Sequence, residues 1–326
     1  MKTALKWIGI LLILIVVLIG AGFTYFTLNF PNVDPAPEMV VEVTPERVER
    51  GKYLAHHVMM CMECHSEKDY SKFLFPVKPG TEGAGGQDFG PELGLPGHVV
   101  SKNLTPYHLG DWTDGEIYRA ITAGVSKDGH ALFPIMPWPN FGKCDPEDIK
   151  SVIAYLRTLE PVEKDNPPTE LDFPMNFIVK TMPQNPTPGK RPSPHDRLEY
   201  GKYMVTAAGC GDCHNKEDKG QLVGMPFEGG REFSDGHIMM RSANITPDPT
   251  FGIGMLSEDE FLGLFRRYTT EMTDSLVLKD GDFTSIMPWC HYRGMEDDDI
   301  RAIYTYLRTI EPSKNEVTTF EVLAQN

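Results

Sequence analysis

The chain has 326 residues, of which 40% are hydrophobic and 24% are charged, a length that leaves room for about two domains of ordinary size. This composition excludes wholesale disorder and a protein with many membrane spans, because it supports buried cores under a polar surface. A formal net charge of -15 excludes nucleic acid as a partner, since nucleic-acid binders need clustered Lys and Arg to contact phosphates.

The first predicted element is a membrane-spanning helix. Residues 7–26 carry no charge, and a helix of that length crosses a hydrocarbon core of about 30 Å. Lys2 and Lys6 precede this run, so the positive-inside rule places the N-terminus in the cytoplasm and the rest of the chain outside. We expect an uncleaved, single-pass anchor in a bacterial inner membrane, with the globular part on the periplasmic side. A cleaved signal peptide is the alternative.

The remaining sequence contains an internal repeat. Five short blocks recur in the same order, and the paired blocks begin at Gly51 and Gly201, Cys61 and Cys210, Asn103 and Asn244, Ile135 and Ile286, and Tyr155 and Tyr306. A repeat of this kind predicts a tandem pair of one domain, at residues 42–162 and 193–314.

Three segments flank or join these two halves. Residues 1–30 contain the anchor, and residues 315–326 form a C-terminal tail. Between the halves, residues 163–192 are rich in Pro, which leaves little room for a helix or a central strand. We predict a linker or strap there, and we expect its apolar residues 173–182 to pack along one of the domains.

Capping signals predict three helices in each half, so the fold class is predicted to be mainly α. The helix starts are Thr44-Pro45 and Ser193-Pro194 as N-cap and N1 pairs, 113–116 and 257–260 as capping boxes, and 145–148 and 296–299 as acidic first turns. Pro161 and Pro312 end the last helix of each half. The Gly- and Pro-rich stretches 79–96 and 220–236 predict loops.

Each half carries one Cys-x-x-Cys-His motif, the attachment pattern of c-type haem. On a helical turn the two thiols share one face and can form thioethers to the haem vinyls, while the His presents its imidazole to the iron. Zinc and a redox dithiol are the alternatives, but zinc needs further ligands that the repeat does not obviously supply. We therefore predict two covalently bound haem c groups. The thioether donors are Cys61, Cys64, Cys210 and Cys213, and the proximal ligands are His65 and His214.

One Met stands in register late in each half, within the sequence Ile-Met-Pro-Trp. A thioether sixth ligand fills the iron coordination and raises the reduction potential, and the Pro that follows fixes a non-helical loop. We therefore predict Met136 and Met287 as axial ligands. The alternative is a core Met in a tight loop, since Met often fills gaps. His98 and His237 are out of register by two residues and are expected to lie in loops or at a haem edge.

Each half resembles a class I cytochrome c domain, in which a Gly-x-Tyr-Leu-like helix leads to Cys-x-x-Cys-His and a last helix with Tyr-Leu packs across the first. The matching residues are Gly51, Tyr53, Tyr155 and Leu156, and Gly201, Tyr203, Tyr306 and Leu307. The run from Asn244, the pair Met287-Pro288 and the Tyr-Leu-Arg-Thr-x-Glu-Pro end are similar to multihaem cytochrome c subunits of membrane-bound alcohol, aldehyde and gluconate dehydrogenases. The resemblance covers residues 45–313 and implies a tandem pair of periplasmic helical haem domains that transfer electrons.

Two classes of function compete. The first is an anchored dihaem electron-transfer protein, whose partners are the bilayer, through residues 7–26, and a membrane-bound redox complex: a dehydrogenase, a quinol oxidoreductase or a terminal oxidase. The second is a dihaem cytochrome c peroxidase, which needs one iron with an open sixth site. A Met-Pro pair in both halves favours electron transfer and no catalytic residue of the chain's own, with a haem sensor as a third possibility. Cys144 and Cys290 are not repeat equivalents, and the sequence leaves a disulfide between them open.

Overall fold

A computed structural model describes residues 2–323 except 219, 220, 235 and 280. About 41% of the chain is helical, in agreement with the mainly helical prediction. The helices are α1 Lys2–Asn29, α2 Pro45–Tyr53, α3 Cys61–Cys64, α4 Pro106–Leu109, α5 Asp114–Ala123, α6 Trp138–Phe141, α7 Pro146–Leu156, α8 Met175–Ile178, α9 Arg197–Ala207, α10 Cys210–His214, α11 Glu258–Arg266, α12 Thr270–Ser275, α13 Trp289–Tyr292 and α14 Asp297–Leu307. The strands are β1 Asp88–Phe89, β2 Gly97–Val100, β3 Glu170–Leu171, β4 Glu217–Asp218, β5 Gln221–Leu222, β6 Glu232–Ser234, β7 Ile238–Arg241 and β8 Phe320–Val322.

The first helix, α1, extends beyond the predicted apolar run at both ends. It is long and apolar enough to cross a membrane, and none of its most hydrophobic stretch is buried against the rest of the chain. The side chains that a soluble protein would bury are therefore exposed along its length. Such a helix has the length and the surface of a lipid-facing element.

Each half is built on the crossing of its first and last helices. α2 packs across α7 in the first half, and α9 packs across α14 in the second. Gly51 and Gly201 lie at these crossings: a Cβ at Gly51 would lie 1.8 Å from the Ser151 carbonyl oxygen, and one at Gly201 would lie 1.9 Å from the Ala302 carbonyl oxygen. Only glycine lets two backbones approach this closely, which explains why the Gly-Lys-Tyr block recurs.

Apolar side chains from both crossings fill a core that continues from one half into the other. The most deeply buried include Leu54, Val58, Met62, Ile149, Val152 and Ile153 in the first half, and Met204, Ile300, Ile303 and Leu307 in the second. Removing each of these side chains from water contributes about 1.5 to 3 kcal/mol to folding.

Three small antiparallel sheets, which were not predicted, lie beside the helices. Their strand orders are β1-β2-β3, β4-β5 and β6-β7-β8. The strap contributes β3, where Gly97 pairs with Leu171, and the C-terminal tail contributes β8, where Ile238 pairs with Val322. Strands of two to four residues are too short to show an alternation of polar and apolar residues, so no sequence pattern predicts them.

Five of the six predicted helix starts are confirmed. Thr44 caps α2, both capping boxes are formed, and Asp145 and Glu296 occupy the N-cap positions of the two last helices. The sixth, Ser193-Pro194, was wrong. α9 begins three residues later, because the Asp196 carboxylate accepts the backbone N–H of the third helical residue, while the Ser193 carbonyl accepts the Asp196 N–H in a preceding turn.

The last helices end before the prolines that were expected to stop them. α7 ends at Leu156 and α14 at Leu307. In each half a Thr two residues further on donates its hydroxyl to a backbone carbonyl three residues back, at 2.7 Å. These local bonds satisfy a carbonyl at each helix end, so the helix stops earlier than the Pro requires.

The two halves meet through reciprocal contacts. The Tyr53 hydroxyl donates to Asp299 Oδ2 at 2.6 Å, and its repeat equivalent Tyr203 donates to Asp148 Oδ2 at 2.7 Å. Each hydroxyl also accepts the N-cap backbone N–H of the last helix of the other half, at 3.0 and 3.2 Å. Equivalent residues thus exchange equivalent contacts, as across the two-fold axis of a homodimer.

Candidate haem-binding sites

The Cys-x-x-Cys segments form two short helices, α3 and α10. The residue before each helix has a left-handed conformation: Met60 at φ 52°, ψ 37° and Gly209 at φ 64°, ψ 28°. This turn separates each motif from the helix that leads to it. Gly209 adopts the conformation without steric cost, whereas Met60 is held there at a cost of about 1 kcal/mol.

Three of the four motif cysteines lie in partly enclosed positions. Cys61, Cys64 and Cys210 are half-buried, whereas Cys213 is exposed. Burial raises the pKa of the three half-buried thiols to about 12. A redox-active dithiol needs a thiol with a lowered pKa, so this environment does not suit one.

The two motif histidines have the same orientation. His65 Nδ1 lies 2.7 Å from the Lys102 carbonyl oxygen, and His214 Nδ1 lies 2.7 Å from the Ala243 carbonyl oxygen. A carbonyl only accepts, so Nδ1 donates its proton in both rings and Nε2 keeps a free lone pair. Burial lowers the pKa of both imidazoles, which favours the neutral ring. A neutral ring fixed through Nδ1 is the arrangement of a metal-ligating His.

The repeated Asn-x-Thr-Pro block fixes these carbonyls, a role that the sequence analysis did not assign to it. Asn103 directly follows the carbonyl that His65 contacts. Its Oδ1 accepts the backbone N–H and the hydroxyl of Thr105, at 2.9 and 2.7 Å, and its Nδ2 donates to the Val162 carbonyl at 2.8 Å. Asn244 makes the same three contacts at the same distances. Recurrence of the block in both halves was the signal that could have indicated this role.

The two Met-Pro-Trp loops share one backbone conformation. Met136 and Met287 are half-buried. In each loop the N–H of the Trp donates to the Met carbonyl at 2.7 Å. The intervening Pro has φ -79°, ψ 47° in the first loop and φ -76°, ψ 62° in the second. These values define an inverse γ-turn, so both Met residues occupy the first position of the same kind of tight turn.

Each Met loop leads to a contact with the Cys motif of the other half. After the first loop, Asn140 Nδ2 donates to both carboxylate oxygens of Asp212, at 2.8 and 2.9 Å. After the second loop, His291 Nε2 lies 2.9 Å from Glu63 Oε2. Asn140 and His291 are repeat equivalents, as are Asp212 and Glu63. The reciprocal interface therefore brings the two candidate sites next to each other.

The charges beside the two motifs differ. Burial opposes ionisation of Glu63, but its ion pair with Lys68 and its contact with His291 lower its pKa to about 2. In the second half, burial raises the pKa of Asp212 above its ordinary value, although Asn140 donates to it. The first site thus holds a compensated, ionised carboxylate, whereas Asp212 of the second site forms no ion pair with any residue that the structure describes.

Other candidate residues lie outside these sites. Cys144 and Cys290 are both free, so the structure contains no disulfide between them, and their thiols lie 3.6 and 3.5 Å from backbone carbonyls. His98 is exposed on β2 and pairs with Asp88 at 2.8 Å. Within residues 2–323, gaps excepted, no three His, Cys, Asp or Glu side chains are arranged to hold a metal ion.

Comparisons with known proteins agree with this geometry. The alcohol dehydrogenase (quinone) cytochrome c subunit of Gluconacetobacter polyoxogenes is 26% identical over 283 residues, covering 81% of this chain. The gluconate 2-dehydrogenase cytochrome c subunit of Pantoea cypripedii is 27% identical and covers 84% of the chain. A diheme cytochrome c-type protein of Cereibacter sphaeroides is 28% identical and covers 77%. The chain is similar to cytochrome c subunits of dehydrogenases.

The lengths of these relatives differ. The chain spans 56% and 62% of the two dehydrogenase subunits, but 81% of the diheme cytochrome. No family model matches the chain. The likeness to cytochrome c subunits supports covalently bound haem c as the cofactor and electron transport as the process.

The residues of this cytochrome-like chain fit haem c. In each motif the two thiols lie on one short helix, at the spacing that two vinyl groups require. The adjacent imidazole is held through Nδ1 by a backbone carbonyl, which leaves Nε2 available to an iron. The donor set is therefore complete for thioether attachment and proximal ligation in both halves.

Proposed function

We propose that this chain is a membrane-anchored dihaem c-type cytochrome that relays electrons between a membrane-bound redox complex and a respiratory acceptor. The observation that carries the proposal is the pair of equivalent Cys-x-x-Cys-His motifs, each with its His Nδ1 2.7 Å from a backbone carbonyl. Each half, on this proposal, is a class I cytochrome c domain. The attachment and proximal residues are Cys61, Cys64 and His65, and Cys210, Cys213 and His214.

Haem c supplies a one-electron redox centre when it is bound. The role of the protein is to hold the imidazole in one orientation, to close the sixth position and to bring the two centres together. Met136 and Met287 are proposed to close the sixth position, because both sit at the same inverse γ-turn. A thioether there suits a relay, whereas a peroxidase needs an iron with an open site.

The proposed redox partner rests on the relatives' names, and the proposed location rests on the first helix. The relatives' names place them in dehydrogenases, so we propose a dehydrogenase, a quinol oxidoreductase or a terminal oxidase as the redox complex. α1 is proposed to anchor the chain in the bacterial inner membrane, with the haem domains on the periplasmic side, because Lys2 and Lys6 precede the apolar run.

The test is an absorption and low-temperature EPR measurement on the oxidised, detergent-solubilised protein, with the haem content quantified. We expect two low-spin haems per chain and a far-red sulfur-to-iron band. Met136→Ala and Met287→Ala should each convert one haem to the high-spin form and remove about half of that band. A high-spin haem in the unaltered protein, or turnover of hydrogen peroxide at enzymatic rates, would contradict the relay and favour the peroxidase.

A further inference from the structure

The strap exposes an apolar patch that the fold does not cover. The strap patch consists of Phe173, Phe177 and Ile178, whose exposed fractions are 81%, 36% and 43%. The adjoining Val179 is buried, so the backbone of this segment is fixed to the globular part while the patch faces away from it. Exposed apolar side chains grouped on a fixed segment mark an interaction surface.

The strap patch is continuous with the apolar surface of α1. The ring centroid of Phe177 lies 6.3 Å from those of both Phe23 and Phe26 near the end of α1. The Phe173 ring lies 6.2 Å from Phe177 on the other side. One row of aromatic rings therefore runs from the helix onto the strap.

The position of Phe26 along α1 indicates at which depth of a bilayer these rings would lie. A run such as 7–26 rises about 1.5 Å per residue and spans about 30 Å, so Phe26 marks one edge of the hydrocarbon core. Phe177, which contacts it, lies at that level. The chain that leaves α1 is also tied to the strap, because the Asp34 N–H donates to Asn185 Oδ1 at 2.8 Å.

We infer that the strap patch inserts into the boundary of the lipid bilayer beside α1 and forms a second membrane contact. The inference rests on the proposed anchoring by α1. One spanning helix lets the domains that follow it pivot, whereas a second contact fixes their orientation to the membrane plane. β3 of the strap pairs with β2 of the first half, so the first half is the one held next to the bilayer.

The experiment measures how fast a charged, membrane-impermeant maleimide reacts with single added thiols in the full-length holoprotein in phosphatidylcholine nanodiscs. The variants are Phe173→Cys in the strap patch, Leu18→Cys in the middle of α1, and Phe251→Cys, an exposed aromatic of the second half with an exposed fraction of 37%. The unaltered chain gives the background from Cys144 and Cys290. Haem content and circular dichroism verify that each variant is folded.

We expect the thiol at position 18 to be unreactive and that at position 173 to react about tenfold more slowly than that at 251, since lipid covers it. If position 18 is protected but 173 reacts as fast as 251, the inference is overturned, and the patch is a surface for a protein subunit instead. If the thiol at position 18 itself reacts fast, the proposal that α1 spans the membrane is wrong, and the inference about the strap patch is wrong with it.

Discussion

Two buried carboxylates, Asp148 and Asp299, hold equivalent positions but have different partners. Arg50 donates to both oxygens of Asp148, at 3.0 Å, and Arg191 adds a third contact at 2.6 Å. Among the residues that the structure describes, the Asp299 carboxylate accepts hydrogen bonds only from hydroxyls, those of Tyr53 at 2.6 Å and Tyr200 at 2.8 Å. At the scale of single residues, the duplicated halves have therefore diverged in charge while keeping the same geometry.

This difference predicts unequal losses of stability. Asp148→Ala leaves a largely buried guanidinium without its counter-charge and should lower the free energy of unfolding by about 3 to 5 kcal/mol. Asp299→Ala removes acceptors of neutral hydroxyls and should cost less, about 2 kcal/mol. Urea unfolding followed by circular dichroism measures both. Equal losses for the two variants would show that the ion pair adds nothing to the hydroxyl contacts.

A second residue-scale prediction concerns pH. Burial, aided by His291, His57 and Lys52, lowers the pKa of His56 from 6.5 to about 4, and its Nε2 lies 2.7 Å from the Tyr155 hydroxyl. Between these two pH values the unfolded chain binds a proton that the folded chain does not, so stability should fall as the pH drops from 6.5 towards 4. Comparing the melting temperatures at pH 7 and pH 5 tests this. His56→Gln should show a smaller fall in melting temperature between pH 7 and pH 5. An identical fall would mean that other titrating groups cause the loss of stability.

At the scale of elements, the helix crossing of each half depends on one glycine. The backbone of α2 approaches that of α7 at Gly51 so closely that no side chain fits between them. Gly263 in α11 offers a contrast, because a Cβ there meets no atom within 4 Å. The same residue type thus has a packing role in one helix and none in the other.

Gly51→Ala should therefore force α2 and α7 apart and lower the free energy of unfolding by at least about 2 kcal/mol. Gly263→Ala, the matched control, should instead raise it by up to about 1 kcal/mol, because alanine favours helix over glycine. Thermal unfolding of the two holoproteins gives the comparison. A Gly51→Ala protein as stable as the unaltered chain would mean that the crossing can relax freely.

At the scale of the whole molecule, the reciprocal interface decides where the two sites lie. The first motif contacts the second half through Glu63 and His291, and the second motif contacts the first half through Asp212 and Asn140. Two further contacts tighten the first of these junctions: His291 Nδ1 lies 2.7 Å from the His56 carbonyl oxygen, and His57 Nδ1 lies 2.9 Å from the His291 carbonyl oxygen. The halves are consequently joined at the sites themselves.

The interface predicts that a residue of the second half tunes the first haem. His291→Leu removes the polar side chain that lies 2.9 Å from the ionised Glu63 carboxylate and helps to lower its pKa. The less compensated negative charge should favour ferric iron, so the reduction potential of the first haem should fall while that of the second stays nearly unchanged. A spectroelectrochemical titration measures the two reduction potentials separately. Equal shifts of both haems, or none, would contradict a local effect.

The sequence by itself determined the local features: the apolar helix, the duplication, the two Cys-x-x-Cys-His motifs and all but one of the helix starts. Apart from the duplication, which shows as blocks that recur in the same order in the two halves, each depends on residues within a few positions of one another, through hydropathy, capping or thiol spacing. Ser193-Pro194 failed because Asp196, three residues on, offers an equally good cap nearer the helix.

The tertiary structure alone decided which residues that are distant in sequence contact each other. The carbonyl that orients His65 lies 37 positions away, and the Tyr53 to Asp299 contact joins residues 246 positions apart. The two-residue strand β3 likewise exists because β2 lies beside it. Such partners are selected by how the helices pack and not by any local pattern, because a hydrogen bond between distant residues forms only after the intervening chain has folded.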